Sequence, residues 1–388
     1  MPTTIEPIQL KNREGGFLPT QQQELLLGAA LLPQEEAIKA WYEWRSISDI
    51  DALDSGSFRT LPLVYKKLSK YGIEDELMDK LKGIYRLTWY NNQFLFNKMA
   101  GLLQALHDQG FQTLVLKGAA LTVGYYRDHG LRPMQDFDVL VRTKQAPDVI
   151  HFLRKIGWTT HLEPAENHLA YRHSLPFKNG TGSLMDLHWH VLYQCCDKDD
   201  DNDFWEGAES IEISGVETKI LNATDQILTL TTHGLCWNGT PPFRWVTDVM
   251  VLMQSTKTEI QWQRLIQQAQ KRHLVAPVKH ALIYLKDKLA APIPEDVLQE
   301  LKHTPIFIVD RLHYRYATSD RSKLLLGDFS VVLFHYVRLT KGHNWMKRLW
   351  GLPSYLSYVW NVESLGKLAM EFAARSTSRF TRYLRTNN

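Results

Sequence analysis

The chain has 388 residues, of which 44% are hydrophobic and 22% charged, and its formal net charge is +3. These values exclude an intrinsically disordered chain, and the length allows two or three domains that each bury a core. The three cysteines, two of them adjacent at Cys195 and Cys196, exclude a disulfide scaffold and a CxxC metal site.

The predicted elements begin with helices over residues 20–107, where apolar side chains recur at three- and four-residue spacing. Gly110 has the position of a left-handed cap that ends the last of these helices. Strands and helices then alternate, with a strand over 112–116, a helix over 119–128, a strand over 136–142 and a helix over 146–156. Further strands are predicted near 158–163, 168–177 and 183–192, followed by a hairpin over 210–213 and 217–221.

Helical periodicity returns after residue 223. The predicted helices cover 224–234, 244–255, 260–272, 276–289, 295–302, 328–339 and 365–384. The fold class that follows is α+β, with a small mixed sheet at its centre. We predict three parts: a helical N-terminal region at 1–107, a core at 108–222, and a helical C-terminal domain at 223–388 that ends in a basic tail.

Two aspartates mark the strand over 136–142. Because strand side chains alternate between faces, Asp136 and Asp138 project to one side while Phe137 and Val139 project to the other. Two neighbouring carboxylates repel each other unless cations neutralise them, so the pair is a candidate site for a divalent metal. The preceding strand ends in Lys117-Gly118, where a small residue that opens a helix lets backbone amides approach a phosphate.

This strand–turn–helix–strand pattern resembles the core of the DNA polymerase β-like nucleotidyltransferase superfamily. Within it, the nearest resemblance is to uncharacterised bacterial nucleotidyltransferases, which carry a Lys-Gly turn, an arginine and an Asp-x-Asp strand. Here these are Lys117-Gly118, Arg132 and Asp136-Phe137-Asp138, and the resemblance extends from about Leu106 to Leu192. It implies a third carboxylate on a later strand, for which Asp186 is the well-placed candidate.

The resemblance also implies a reaction. Asp136 and Asp138 would hold two divalent ions, Mg²⁺ or Mn²⁺, and Asp186 would hold the one near the attacking hydroxyl. A nucleoside monophosphate would pass from a nucleoside triphosphate (NTP), with ATP expected, to an acceptor hydroxyl, and pyrophosphate would be released. The alternatives are solvated carboxylates on an exposed sheet face, or a non-catalytic nucleotide-binding scaffold with the same fold.

Other side chains near the motif are candidates for nucleotide contacts. The superfamily usually has a serine hydroxyl in its turn, whereas Ala119 follows Gly118 here, so we expect Lys117 to contact the triphosphate instead. Arg132 would clamp a phosphate or neutralise the carboxylate pair, unless it is an ordinary surface arginine. Arg244 stays open as a nucleotide contact, whereas Trp245 and Asp248 are expected in the core.

Two histidines follow Asp186 at alternating positions. His188 and His190 are expected on the same face of the strand, where they would assist proton removal or contact the phosphate or base. A zinc site formed with Asp186 is a less favoured alternative, because it competes with the carboxylate triad. Hydrogen bonding within the sheet is the structural alternative.

The segment 341–388 holds eight Lys and Arg but only two Glu, mixed with aromatic residues. It suits an ordinary basic helix, which we favour, or a peripheral contact with nucleic acid, an anionic membrane or an acidic partner. The sequence does not name the acceptor; we favour a small molecule, sugar, peptide or protein over RNA, with an RNA-modifying enzyme as the alternative.

Localisation follows from two absences in the sequence. No apolar run approaches the roughly 20 residues that span a bilayer. The first residues also lack the basic and apolar regions of a signal peptide. We expect a cytoplasmic protein without a transmembrane segment.

Overall fold

A mixed β-sheet lies at the centre of the computed structural model, which describes residues 19–196, 199–236, 243–255, 259–318, 327–340, 342, 344–362, 364 and 366–375. Within these residues the strands are β1 Thr113–Leu116, β2 Phe137–Val141, β3 Trp158–Thr159, β4 Ser174–Asn179, β5 Leu184–His188, β6 Glu209–Ile213 and β7 Val216–Ile220. Their order across the sheet is β3-β4-β5-β2-β1-β7-β6. The β2–β5 and β1–β7 pairs are parallel and the other neighbours are antiparallel.

Helices cover both faces of the sheet. They are α1 Gln21–Leu31, α2 Gln34–Ile47, α3 Ser55–Lys70, α4 Met78–Asp108, α5 Lys117–Leu121, α6 Ala146–Lys155, α7 Asn202–Glu206, α8 Ala223–Cys236, α9 Arg244–Met253, α10 Trp262–Lys271, α11 Val275–Leu289, α12 Glu295–His303, α13 Ile308–Thr318, α14 Gly327–Leu339 and α15 Trp345–Trp360. A last helical segment covers 366–375. None of the described helices is both long and apolar enough to cross a membrane.

The two faces of the sheet pack into different apolar clusters. Val115 and Val139 pack against α4 and α6 on one face. Leu114, Leu116 and Leu140 face the opposite way, into a cluster that joins α1–α3 with α8–α12. The N-terminal and C-terminal helical regions therefore share a core above one face of the sheet. Asp138 projects to that same face, since it alternates with Val139 along β2.

The α+β class with a mixed sheet is confirmed, and the predicted strands and helices of the core occur with shifted ends. The boundaries at 107 and 222 stay a prediction. The predicted turn of the β6–β7 hairpin occurs where expected, at Ser214 and Gly215, whose φ values of 48° and 85° suit a two-residue turn of type I′.

The helix predicted over 119–128 is divided into two parts. α5 ends at Leu121 and continues as a π-helical turn over Thr122–Tyr126. A tertiary contact overrides the regular helix here, because the wide turn directs the buried Tyr126 hydroxyl to Asp248, to which it donates at 2.8 Å.

The strand predicted over 183–192 also differs, since β5 ends at His188. The amides of Trp189 and His190 both donate to the carbonyl of His173, at 3.0 and 3.2 Å. Two consecutive amides that share one acceptor cannot continue the alternating pattern of an antiparallel ladder. The chain therefore leaves the sheet after His188.

Part of the predicted basic tail is a packed helix. In α15, which periodicity did not predict, Tyr355 is buried against Tyr336 of α14 with ring centroids 5.0 Å apart. The Tyr358 hydroxyl lies 2.6 Å from Nδ1 of His168, in the 3₁₀ turn that replaces the start of the strand predicted over 168–177. Of the helix predicted over 365–384, the described part is helical over 366–375 and the rest lies outside the described residues.

Two helical glycines differ in the space around them, which allows a test of the packing. A Cβ on Gly234 of α8 would overlap the indole ring of Trp245, whereas a Cβ on Gly101 of α4 would meet nothing within 4 Å. We expect Gly234→Ala to lower the free energy of unfolding by about 1–3 kcal/mol through overpacking. Gly101→Ala should raise it by about 0.5–1 kcal/mol, since alanine is the better helix former. Urea unfolding measures both, and equal effects would contradict the close approach of α8 and α9.

Candidate functional site

Two aspartates on neighbouring strands form the centre of the site. Because β2 and β5 pair in parallel with Asp138 opposite Asp186, the two carboxylates lie side by side. With His188, at the end of β5, they offer ligand atoms that all lie within 4.8 Å of one another. Carboxylate oxygens are the ligands that Mg²⁺ and Mn²⁺ prefer, whereas an imidazole nitrogen suits softer divalent ions such as Zn²⁺. This donor set therefore fits a divalent cation.

Asp136, the third predicted carboxylate, lies outside that cluster. It precedes β2 and is exposed, but it lines the same cavity as Asp138 and Asp186. Although part of Asp136 is exposed, desolvation by the surrounding cavity wall, followed by the charges of Asp138 and Asp186, raises its pKa. Burial and the Asp138 charge likewise raise the pKa of Asp186. Both groups resist ionisation next to Asp138, which a bound cation would relieve.

Asp138 behaves in the opposite way because a lysine reaches it. Lys117 Nζ lies 2.6 Å from Asp138 Oδ1, and His188 Nε2 lies 3.0 Å from the same oxygen. Burial alone would raise the pKa of Asp138, but Lys117 and His188 outweigh it and hold the pKa far below its usual range. The pKa of Asp138 is therefore lowered, whereas those of Asp136 and Asp186 are raised.

The Lys117-Gly118 turn differs from the predicted phosphate cradle. A Cβ on Gly118 would lie 2.5 Å from Arg132 Nη1 and 2.9 Å from Met134 Sδ, so these side chains fill the space that glycine leaves. The left-handed residue is Lys117, with φ 48°, and α5 is only five residues long. Gly118 still lines the cavity, so its contact with a nucleotide phosphate stays a prediction.

Ala119 lies away from the cavity. Its side chain is buried in the cluster beneath the opposite face of the sheet. A serine at this position would direct its hydroxyl into that core, so the missing hydroxyl does not decide whether the cavity binds phosphate.

Arg132 is not a surface arginine. Its Nε and Nη2 each lie 2.8 Å from an oxygen of Asp248, and both side chains are almost fully buried. Asp248 is therefore its direct partner, and Asp138 attracts it less strongly; a phosphate contact by Arg132 stays a prediction. Trp245 and Asp248 are buried as predicted, although Asp248 is an ion-pair partner and not an apolar core residue.

His190 lies apart from His188, which corrects the expectation of a shared face. Its Nδ1 is 2.8 Å from Asp201 Oδ2, and it does not line the cavity that contains the aspartates. The reason is the end of β5 at His188, which breaks the alternation. A nucleotide contact by His190 stays a prediction that no contact among the described residues supports.

A cavity of about 290 Å³ opens above the carboxylates. The arginines in its wall belong to both helical regions: Arg59 lies on α3 and Arg244 on α9, and Arg132 also lines the cavity. Burial and the neighbouring Arg132 lower the pKa of Arg244 to about 10, so it remains a cation at neutral pH. Its Nη1 donates to the Pro133 carbonyl at 3.1 Å. Arg59, which donates to Gln135 at 3.2 Å, carried no sequence signal because it lies far from the motif along the chain.

Comparison with known proteins gives the family. Residues 57–290, more than half of the chain, match the model of a family described as uncharacterised nucleotidyltransferase. The chain belongs to this family. The matched span contains the carboxylates, Lys117, Arg59 and Arg244.

Other comparisons add little to this nucleotidyltransferase-family assignment. No curated protein matches the sequence. Among solved structures, the chain is similar to an antigenic nucleotidyltransferase-like protein from Paracoccidioides brasiliensis, with 13% sequence identity and a TM-score of 0.33. The match covers 55% of this chain and 94% of that one.

The C-terminal helices of this nucleotidyltransferase-family chain support another part of the cavity wall. Tyr193, which lines the cavity, stacks on His335 of α14 with ring centroids 3.8 Å apart. His335 Nδ1 in turn lies 2.6 Å from the Tyr355 hydroxyl of α15. Burial, then His188 and Lys117, lower the pKa of the lining His173 well below its usual value. This wall is therefore aromatic and uncharged.

The opposite pKa shifts of Asp138 and Asp186 predict opposite effects on stability. Asp138→Asn should lower the free energy of unfolding at pH 7 by about 1–3 kcal/mol, since it leaves Lys117 without its partner. Because the folded pKa of Asp138 is lowered, this loss should shrink as pH falls below the unfolded value of about 4. The folded pKa of Asp186 is raised, so the stability that its protonated form contributes is lost as pH rises. Asp186→Asn should therefore increase the melting temperature at pH 7 but not at pH 3.5. Thermal unfolding at both pH values checks the signs, and a loss of stability in both variants at pH 7 would contradict the assigned environments.

Proposed function

We propose that this chain is a metal-dependent nucleotidyltransferase that transfers a nucleoside monophosphate from an NTP to an acceptor hydroxyl and releases pyrophosphate. The observation that carries the proposal is the Asp138–Asp186–His188 cluster at the base of an arginine-lined cavity, in a member of a nucleotidyltransferase family. The mixed sheet with its paired aspartates supports the finer proposal of a polymerase β-like core.

The carboxylate side of the cavity would hold Mg²⁺ or Mn²⁺. Asp138, Asp186 and His188 offer the ligand atoms, and Asp136 at the rim adds a fourth donor. Bound there, divalent cations would supply charge neutralisation for the phosphates and lower the pKa of the attacking hydroxyl. Asp138 is already ionised, so the site has an anionic ligand before any cation arrives.

The arginine side of the cavity would bind the triphosphate of the NTP, with ATP as the expected nucleotide. Arg244 and Arg59 have no carboxylate partner within ion-pair distance among the described residues, whereas Asp248 compensates Arg132. Guanidinium groups suit phosphate because several donors project in one plane. Arg132 would act mainly by holding the turn around Gly118, and Lys117 is free to move from Asp138 toward the phosphates through its flexible side chain.

We favour a small molecule, sugar, peptide or protein as the acceptor, because the charges on the cavity wall are balanced and the chain outside residues 341–388 has a net charge of −3. An RNA acceptor is the alternative.

A non-catalytic nucleotide-binding scaffold is a second candidate function. The Lys117–Asp138 pair favours the scaffold, because the lysine blocks a possible metal ligand. Incubation with labelled NTPs, Mg²⁺ and fractionated cell extract, with and without RNase, separates these possibilities. Label that is transferred by the native protein but not by Asp138→Asn supports the enzyme, RNase-sensitive label identifies RNA, and no transfer to any fraction favours the scaffold.

Asp186 should matter more for transfer than for nucleotide binding, because it would hold the cation next to the acceptor. We expect Asp186→Asn to keep the NTP dissociation constant within about threefold while pyrophosphate release falls by at least about a hundredfold. Calorimetry and a pyrophosphate assay measure the two quantities on the same preparation. Equal losses in both would place Asp186 on the nucleotide side of the site.

Arg244 should contribute directly to the affinity for the triphosphate. Arg244→Met removes the charge but keeps an unbranched apolar side chain, and we expect the NTP dissociation constant to rise at least about tenfold, as for other charge-assisted contacts. Arg86→Met, at an exposed position on α4 outside the cavity, is the matched control and should change nothing. If Arg244→Met also binds NTP normally, the arginine wall does not contact the phosphates.

A further inference from the structure

Lys117 has a backbone conformation that lysine rarely adopts. Its φ of 48° lies in the left-handed region, at the junction where β1 ends and α5 begins. A side chain in this region is uncommon unless its surroundings hold it there, and such residues concentrate at functional sites. Glycine follows at position 118 but does not use this conformation. The chain thus places a lysine where glycine would be less strained.

The conformation directs the ammonium group into the metal-ligand cluster. Lys117 Nζ lies 2.6 Å from Asp138 Oδ1 and 3.5 Å from His188 Nε2, and both of these atoms belong to residues of the cluster. Asp186 and Asp136 also attract this ammonium group, although less strongly than Asp138 does. The lysine therefore occupies the centre of negative charge that a divalent cation would occupy.

We propose that Lys117 is an internal counter-ion that competes with the divalent cation for Asp138 and, once displaced, turns to the triphosphate. This inference rests on the proposed function, and it goes further by assigning one lysine to two alternative partners. A third of the Lys117 side chain is exposed and the residue lines the cavity, so a rotation of its four-carbon stem toward the arginine wall is open.

The competition follows from electrostatics and size. Divalent cations bind carboxylate oxygens at about 2.0–2.6 Å, so a cation on Asp138 Oδ1 would lie within a few ångströms of the ammonium group. Two cations at that separation repel strongly in a site with little water. Lys117 must then leave Asp138, and the phosphates of the nucleotide provide the nearest new anions. Cation and nucleotide binding are coupled through this movement, and the coupling is reciprocal.

Removal of the lysine charge should therefore change two affinities in opposite directions. We expect Lys117→Met to bind Mn²⁺ at least about tenfold more tightly than the native protein when nucleotide is absent, since a contacting charge commonly shifts such an equilibrium by a factor of ten or more. With a non-hydrolysable NTP analogue present, the same variant should bind Mn²⁺ and the analogue more weakly than the native protein. A residue with a purely structural role would weaken both.

Titration of the free Mn²⁺ signal by electron paramagnetic resonance measures these affinities without turnover. Lys155→Met removes an exposed lysine from α6, on the other face of the sheet, and should match the native protein in both conditions. Lys117→Gly is a second variant that suits the left-handed backbone, so it tests the charge even if Lys117→Met is unstable. It should show the same opposite shifts.

The outcomes separate this inference from the proposed function. If the native protein binds Mn²⁺ but neither Lys117 variant gains affinity without nucleotide, Lys117 is not a competitor and the inference fails while the metal site stands. If the native protein and both variants bind no Mn²⁺ with or without the analogue, the metal centre of the proposed function fails as well. Tighter Mn²⁺ binding with unchanged affinity for the analogue would overturn the second half of the inference, the transfer of Lys117 to the phosphates.

Discussion

The burial of Asp138 is the constraint on which the arrangement of the site depends. An ionised carboxylate in the middle of an apolar sheet is unfavourable unless cations and donors compensate it. Lys117 and His188 provide this compensation, and the Lys117 backbone is left-handed where its side chain reaches Asp138. A second buried carboxylate, Asp248, needs Arg132 in the same way. Two ion pairs, Lys117–Asp138 and Arg132–Asp248, therefore position the adjoining strand ends, the turn at Gly118 and helix α9.

Gly118 is the point where these ion pairs meet. Its neighbour Lys117 leads to Asp138, and the guanidinium group of Arg132 occupies the space in which any side chain at 118 would lie. The packing around residue 118 therefore requires glycine, because any Cβ there would overlap Arg132 and Met134. Because Asp248 belongs to α9 and Arg132 precedes β2, the pair also fixes the C-terminal helices on the sheet. Residues of both regions line the cavity.

The sequence predicted the parts of the site that depend on local pattern. Alternation placed Asp138 on the face opposite Val139, and the strand carrying Asp186 was found from its apolar run after a turn, because short-range rules govern both. Pairings between distant residues could not be predicted: Arg132 with Asp248, or Arg59 with Gln135, depend on how helices from the two ends of the chain pack. The end of β5 at His188 was not predicted either, because it depends on hydrogen bonds to the carbonyl of His173, which lies in the loop before β4.

The balance of charge in the cavity bears on what it can accept. Its lining contains four carboxylates, Asp136, Asp138, Asp186 and Asp248, and four cations, Arg59, Lys117, Arg132 and Arg244. A nucleoside triphosphate carries about four negative charges, and two divalent cations carry as many positive ones. Either alone would disturb the balance in a confined space, whereas together they leave it unchanged. A cavity of this composition therefore favours joint binding of nucleotide and metal, because each cancels the charge that the other brings.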